Sequence, residues 1–344
     1  MVSIKEIAEI AGVSRGTVDR VVNGRGGVSP ETSKRILEII EEKKYTPNRL
    51  GKQLAVTKKN LKFGAILYGY SDENPYFGQV ENALLNKTKH LVEYGIELEI
   101  RHTEIDEPDE MLKNINDLVE KGITGLILSP VDTPLIREKI NELQDCGIQV
   151  VTIGTDIPET NRMAYVGSNS YKFGMIAGNL MGLFTQGLAH TGIITGSEYS
   201  YNHIKKVQGF CDYLTNNYPD SVILAKAVNH DRDEESYACV KRLLSGEKTG
   251  INSIYFSAGG VRGGCQAIKD CGMAGKIAVV SFDLMPFNIQ MVREGVIFAT
   301  IGQQPEYQAE KALDLLVDFL GMGICPARKY FYSVPEIRVR SNFV

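Results

Sequence analysis

Ten residues near the N-terminus, SRGTVDRVVN over 14–23, set two arginines, a serine, a threonine and an asparagine around three valines. Guanidinium groups can reach the O6 and N7 acceptors of guanine in a major groove, and short hydroxyl or amide side chains can hold phosphate oxygens. At helical spacing Val18, Val21 and Val22 share one face; Arg15, Gly16, Asp19, Arg20 and Asn23 fall on the other. Arg15 and Arg20 are therefore candidate base readers, with Ser14, Thr17 and Asn23 as candidate phosphate contacts. A small amphipathic bundle with a solvated charged face carries the same pattern.

A second set of polar residues falls where strand-like runs end. SDENPYF supplies Asp72, Asn74, Tyr76 and Phe77, SPVD supplies Asp132, and GTD supplies Thr155 and Asp156. Later runs deliver Gly259, Asp283 and Gln303. Carboxylates and amides pair with vicinal hydroxyls, and aromatic faces cover the apolar side of a pyranose or polyol. A carboxylate after a strand is equally a helix N-cap, so the reading rests on several such residues converging.

The elements that must position the first set are short helices. Ser3-x-x-Glu6 is a capping box that starts a helix near Ile4, and Gly12 stops it. Ser14 caps a second helix running to about Asn23, and Ser29-Pro30-Glu31 opens a third that ends around Lys44. Three short helices with a glycine in the first turn fit a helix-turn-helix unit. Beyond Pro47, YTPNRLGKQLAVTKKN is basic and too short to be a stable isolated helix. It can fold when two copies meet over a minor groove, with Leu54 wedged between base pairs, or serve as a plain linker.

The second set requires a different architecture. FGAILY, ELEI, GLILSP, QVVTI, GIITG, SVILAKAV, SIYFSA, KIAVVSFD and IFATIGQ are short, apolar and β-branched, and amphipathic stretches of helix length follow them. That alternation predicts an α/β body of two doubly wound parallel-sheet subdomains, with a ligand cleft beyond the strands' carboxyl ends. The expected boundaries are 1–46 for the head, 47–61 for the hinge and 62–344 for the body. Within the body, 62–164 with 292–325 and 165–291 with 326–344 are the expected subdomains.

Charge divides the same way. Residues 1–62 hold 13 Lys and Arg against 7 Asp and Glu, whereas the remainder holds 25 against 35. A basic head on an acidic body suits a polyanionic partner. The six cysteines form no C-x-x-C pair and read as reduced, small apolar residues, so neither metal nor cofactor is expected. There is no membrane-length apolar run and no signal-peptide block at the start, which predicts a cytoplasmic protein without a membrane partner.

IAEIAGVSRGTVDRVVNGRGGVSPET followed by KKYTPNRLGKQLA resembles the DNA-binding head and hinge of the lactose-repressor family of bacterial regulators. The resemblance implies that Arg15, Gly16 and Arg20 read operator bases and that Leu54 is the hinge leucine. It also implies that Ser3, Ser14, Thr17 and Asn23 touch phosphates. Asp19 stands where the family usually has serine; its carboxylate can accept from cytosine N4 or hold a neighbouring arginine. The body resembles the periplasmic sugar-binding fold that these regulators carry as a sensor. NPYF, SFD and IGQQP resemble its ligand-contacting loops, TDIPETNR adds Thr155, Asp156 and Arg162, and NHIKKVQGF puts Lys206 in an arginine's place, with Asn202 and His203 nearby. GGVRGG departs from the family's Asn-Asp pair. It either gives room to a bulkier sugar or offers N–H groups to a phosphorylated or acidic ligand.

The expected function is a ligand-controlled repressor, a homodimer on double-stranded palindromic operator DNA that senses a sugar, polyol or sugar phosphate. An enzyme using Asp132, Asp156 or Asp283 as a catalytic pair lacks any supporting motif. A transport binding protein is opposed by the DNA-reading head. No leucine-heptad tail follows SNFV, which favours a dimer over a tetramer.

Overall fold

A computed structural model describes residues 4–22, 27–42, 60–70, 75–245 and 250–343. Three helices form the head: α1 (Ile4–Ala11), α2 (Arg15–Val22) and α3 (Pro30–Glu42). The Ser14 hydroxyl caps α2 by accepting from the Thr17 N–H at 3.1 Å, and Ser29 caps α3 through Thr32 at 3.2 Å. Ile7, Ala8, Ala11, Val18, Ile36 and Ile39 make a small separate core on which Val21 and Val22 pack. The three valines of α2 face inward, as their spacing requires.

The body holds two six-stranded sheets. The first runs β11-β5-β4-β3-β1-β2 and the second β12-β10-β9-β8-β6-β7. In the first lobe the strands are β1 (Lys62–Tyr68), β2 (Glu97–Thr103), β3 (Gly125–Leu128), β4 (Gln149–Ile153), β5 (Ala164–Gly167) and β11 (Tyr330–Tyr332). In the second they are β6 (His190–Thr195), β7 (Val222–Val228), β8 (Ser253–Phe256), β9 (Ala278–Phe282), β10 (Ala299–Gly302) and β12 (Glu336–Val339). Every described pairing is parallel except β10 with β12, an antiparallel edge. Side chains on both faces of β3, β4, β8 and β9 are almost wholly buried, as sheets covered by helices demand.

Two expectations about division need correction. Residues 292–325 do not all stay with the first lobe, because β10 lies inside the second sheet; the helix Pro305–Leu316 and, after it, Val317, Leu320 and Met322 pack into the first lobe's core. Residues 326–344 are likewise split, with β11 in the first sheet and β12 in the second. β5, astride the expected 164/165 boundary, belongs to the first. The chain therefore crosses between lobes three times, near 168, 303 and 334. The crossings are tied together: Ser168 Oγ donates to Gln303 Oε1 at 3.2 Å, and the Val334 N–H donates to Gln304 Oε1 at 3.0 Å.

Candidate functional site

On the head, Ser14, Arg15, Gly16 and Arg20 are exposed along α2, Thr17 is half-buried, and Asp19 lies in the same helix. Ser14 Oγ and Thr17 Oγ1 lie 2.9 Å apart at the helix start. Two hydroxyls and the Arg15 guanidinium thus sit at the start of an exposed helix and the Arg20 guanidinium in its last turn, an arrangement a major groove can read. Ser3, Asn23 and Leu54 lie outside the described residues, as do Asp72 and Asn74.

Between the lobes the strand ends build a cleft. Tyr68, Tyr76, Phe77 and Thr155 line it from the first lobe; His203, Lys206, Asp231, Gly259 and Asp283 line it from the second, with Gln303 from a crossing. Tyr68 and Tyr76 each meet Phe77 edge-on, at 5.3 and 5.1 Å between ring centres. The Tyr76 hydroxyl is taken by Gln308 at 3.1 Å, leaving its ring for the cleft. The Thr155 hydroxyl is buried without a described partner.

The second-lobe groups owe their positions to close helix packing. Gly174 and Gly209 let helices Ser170–Phe184 and Tyr201–Asn217 touch: a methyl on Gly174 would stand 2.0 Å from the Lys206 carbonyl, and one on Gly209 2.0 Å from the Tyr171 carbonyl. The second helix presents Asn202, His203 and Lys206 to the cleft from its first turns, capped by Ser200. Lys206 is 4% exposed, with its ammonium 4.2 Å from the centre of the Phe282 ring. Burial lowers its pKa, opposed by the nearby Asp283 and Asp231.

Asp283 holds a left-handed backbone (φ 73°) and accepts from Gln303 Nε2 at 2.7 Å. Burial raises its pKa, while Lys206 and the Gln303 hydrogen bond pull it back. Asp231, also left-handed, accepts the Gly259 N–H at 2.9 Å, and burial lifts its carboxyl to about 6. His203 Nδ1 accepts the Ser197 N–H at 3.1 Å. That bond makes it the Nε2–H tautomer, and burial, then Lys206, depresses its pKa to about 3.

Three expected cleft residues are used elsewhere. Asp132 forms a two-pronged pair with Arg137, at 2.8 and 3.0 Å. Asp156 and Arg162, each about 3% exposed at the side chain, pair at 2.6 Å, braced by Thr152, with Asp156 on a neighbouring cavity lined by Tyr165, Tyr201 and Asn202. None of Asp132, Asp156 and Arg162 lines this cleft. Each carboxylate sits beside a first-lobe arginine that claims it. In GGVRGG two N–H groups are taken within the second lobe: Gly259 gives its own to Asp231 and Gly263 gives its own to Asp233, each at 2.9 Å. Asp231 was missed by the sequence reading, although NHD directly follows β7 and the strand-end rule reaches it. Asn202, adjoining His203, lines the cleft too and donates to the Gly154 carbonyl and the Tyr165 hydroxyl.

Residues 65–323 match the periplasmic binding protein domain, and residues 3–48 match bacterial regulatory proteins of the lacI family. The chain is 29% identical over 247 residues to catabolite control protein A of Priestia megaterium, covering 71% of this chain and 70% of that protein. It is 24% identical over 327 residues to the transcriptional repressor PurR of Actinobacillus pleuropneumoniae serotype 3, covering 92% of this chain and 91% of the relative. Among solved structures, the glucose-galactose binding protein GanP of Geobacillus stearothermophilus superposes with a TM-score of 0.74 at 25% identity, over 82% of this chain and 98% of GanP. Among the described residues no helix is long and apolar enough to cross a membrane. A helix-turn-helix head with its arginines exposed, joined to two doubly wound lobes around a polar cleft, is the two-part build of a ligand-responsive DNA-binding repressor, and the chain belongs to the lacI family of bacterial regulators, with a periplasmic-binding-protein domain as its sensor.

Proposed function

We propose that this regulator binds a two-fold symmetric operator as a homodimer and takes a non-anionic polyhydroxylated effector, a sugar or polyol, in the cleft between its lobes. Arg15 and Arg20 read bases, Ser14 and Thr17 hold phosphates, and Asp283, Gln303, Asp231 and Lys206 hold effector hydroxyls. The observation that carries the effector class is the Gly259 N–H donating to Asp231 at 2.9 Å. It takes one backbone donor of the GGVRGG turn and sets a carboxylate beside it, which repels an anion. The fold shared with a glucose-galactose binding protein supports the same class.

Gln303 supplies the coupling. It hydrogen bonds Asp283 inside the cleft and Ser168 at a neighbouring crossing, so an effector that engages this pair acts on the segments about which the lobes tilt. An effector shifts the balance of lobe arrangements only by as much as it prefers one of them.

A thermal-shift panel of neutral sugars, polyols and their phosphate or acid forms tests the effector class, since a ligand of the native state raises the melting temperature. Hits among neutral members support the proposal; hits confined to phosphates or acids overturn it. Selection of bound DNA from a random library tests the operator. An inverted repeat is expected, and a single asymmetric half-site would overturn the dimer.

A further inference from the structure

The charges around the cleft do not balance. Asp231 and Asp283 line it, and the charge of Asp231 helps to raise the Asp283 pKa. Asp106 stands just behind, taken by the Ser197 hydroxyl, and His203 beside it is neutral. Among the described residues that line this cleft the cation is Lys206, seated on the Phe282 ring and making no ion pair within 4.0 Å; the second-lobe Arg232 and Arg262, in the adjoining pockets, pair with Glu235 and Asp233. The first-lobe arginines that approach, Arg137 and Arg162, are committed to Asp132 and Asp156. Buried carboxylates in excess of their counter-charge are costly until a cation joins them.

We propose that the effector carries a basic amine as well as hydroxyls, an amino sugar or amino polyol whose ammonium sits between Asp231 and Asp283. The inference rests on the polyhydroxylated reading above. Asp231 Oδ1 takes the Gly259 N–H, and Oδ2 has no described partner, so it is the oxygen available to an ammonium. Tyr68, Tyr76 and Phe77 face these carboxylates from the opposite lobe, and their rings attract an ammonium where they would only cover a neutral ring. A bare metal ion fits less well: among the described residues no three metal-binding side chains converge, and Lys206 stands in the same cleft.

Isothermal titration of the full chain with D-glucosamine, D-galactosamine and D-mannosamine, each beside its N-acetyl form and its parent hexose, tests the proposal. At least one amine is expected to bind about tenfold or more tighter than both neutral counterparts, the scale of one charge pair at modest effective dielectric. Asp231→Asn keeps an acceptor for the Gly259 N–H and removes a buried charge, so it should fold with a melting temperature no lower than that of the unaltered protein and lose that preference. Asp283→Asn, which tolerates the left-handed backbone, should do the same. Equal or tighter binding of the hexose or N-acetyl form would overturn the amine while leaving the polyhydroxylated effector standing. An amine preference that survives both substitutions would overturn the assignment to these carboxylates. No binding by any of the sugars would overturn the polyhydroxylated reading itself.

Discussion

The Ser197 hydroxyl, just past β6 in the second lobe, points at both carboxylate oxygens of Asp106, just past β2 in the first, at 2.6 and 2.8 Å. Asp106 holds a left-handed backbone (φ 63°) to make the contact. Beside it the Asp132 N–H reaches the Tyr199 carbonyl at 3.4 Å, and Asn202 bonds Gly154 and Tyr165. The two lobes are thus latched together beside the cleft by hydrogen bonds between their strand ends and the start of the helix Tyr201–Asn217.

Removing the latch should loosen the closed arrangement. Ser197→Ala deletes a hydrogen bond to a charged group, worth about 1.5–3 kcal/mol. The expected result is a larger radius of gyration in small-angle scattering without effector and an effector affinity weaker by about tenfold. An unchanged scattering profile would mean the latch does not hold the lobes.

Gly174 is predicted to be intolerant of any side chain. Alanine there drives a methyl to 2.0 Å from the Lys206 carbonyl, so the two helices must separate. Overpacking of this kind costs about 1–3 kcal/mol. Gly174→Ala should lower the melting temperature and weaken effector binding together, because the displaced turn carries Lys206. Calorimetry and titration on the same variant check both.

On the head, Arg15→Ala should cost operator binding about 1–3 kcal/mol, the value of one bidentate arginine–guanine contact, and relax selectivity at one base position. Effector affinity should not move. Fluorescence anisotropy with matched and singly altered operators distinguishes this from a uniform loss, which would mark Arg15 as a phosphate contact.

His203 gives the pH dependence its sign. Its folded pKa, about 3, lies below the unfolded 6.5, so the folded state binds fewer protons between these values. Stability from His203 is complete above 6.5 and is lost as pH falls toward 3. Asp231 runs the other way: with a folded pKa of about 6 against an unfolded 3.8, it costs stability as pH rises through that window. His203→Asn keeps an acceptor for the Ser197 N–H and removes the first effect. The melting temperature of the unaltered protein should therefore fall more steeply than that of the variant between pH 7 and 5. Parallel curves would show that His203 is not buried neutral.

Much of this was legible in the residue order, for local reasons. Caps at Ser14 and Ser29 and valines at helical spacing define α2 and α3 within a turn or two, because those interactions reach only three or four residues. The nine apolar runs became β1–β4 and β6–β10, since a buried strand advertises itself by continuous apolar composition. The missed strands were β5, β11 and β12, each of three or four residues. They are held in place by sheet neighbours and not by their own pattern. Asp283 and Gln303 were found because strand ends converge in a doubly wound sheet. Asp132, Asp156 and Arg162 do not line that cleft, and the sequence does not show it, because a strand-end carboxylate is read the same way whether or not an arginine claims it. Sequence alone therefore determined the two-part build, the exposed arginine helix of the head and the strand ends that build the cleft. Tertiary structure alone decided which carboxylates remain for the ligand, where the chain crosses between lobes and that Asp106 meets Ser197. Those depend on distances between residues about a hundred positions apart, which no local spacing encodes.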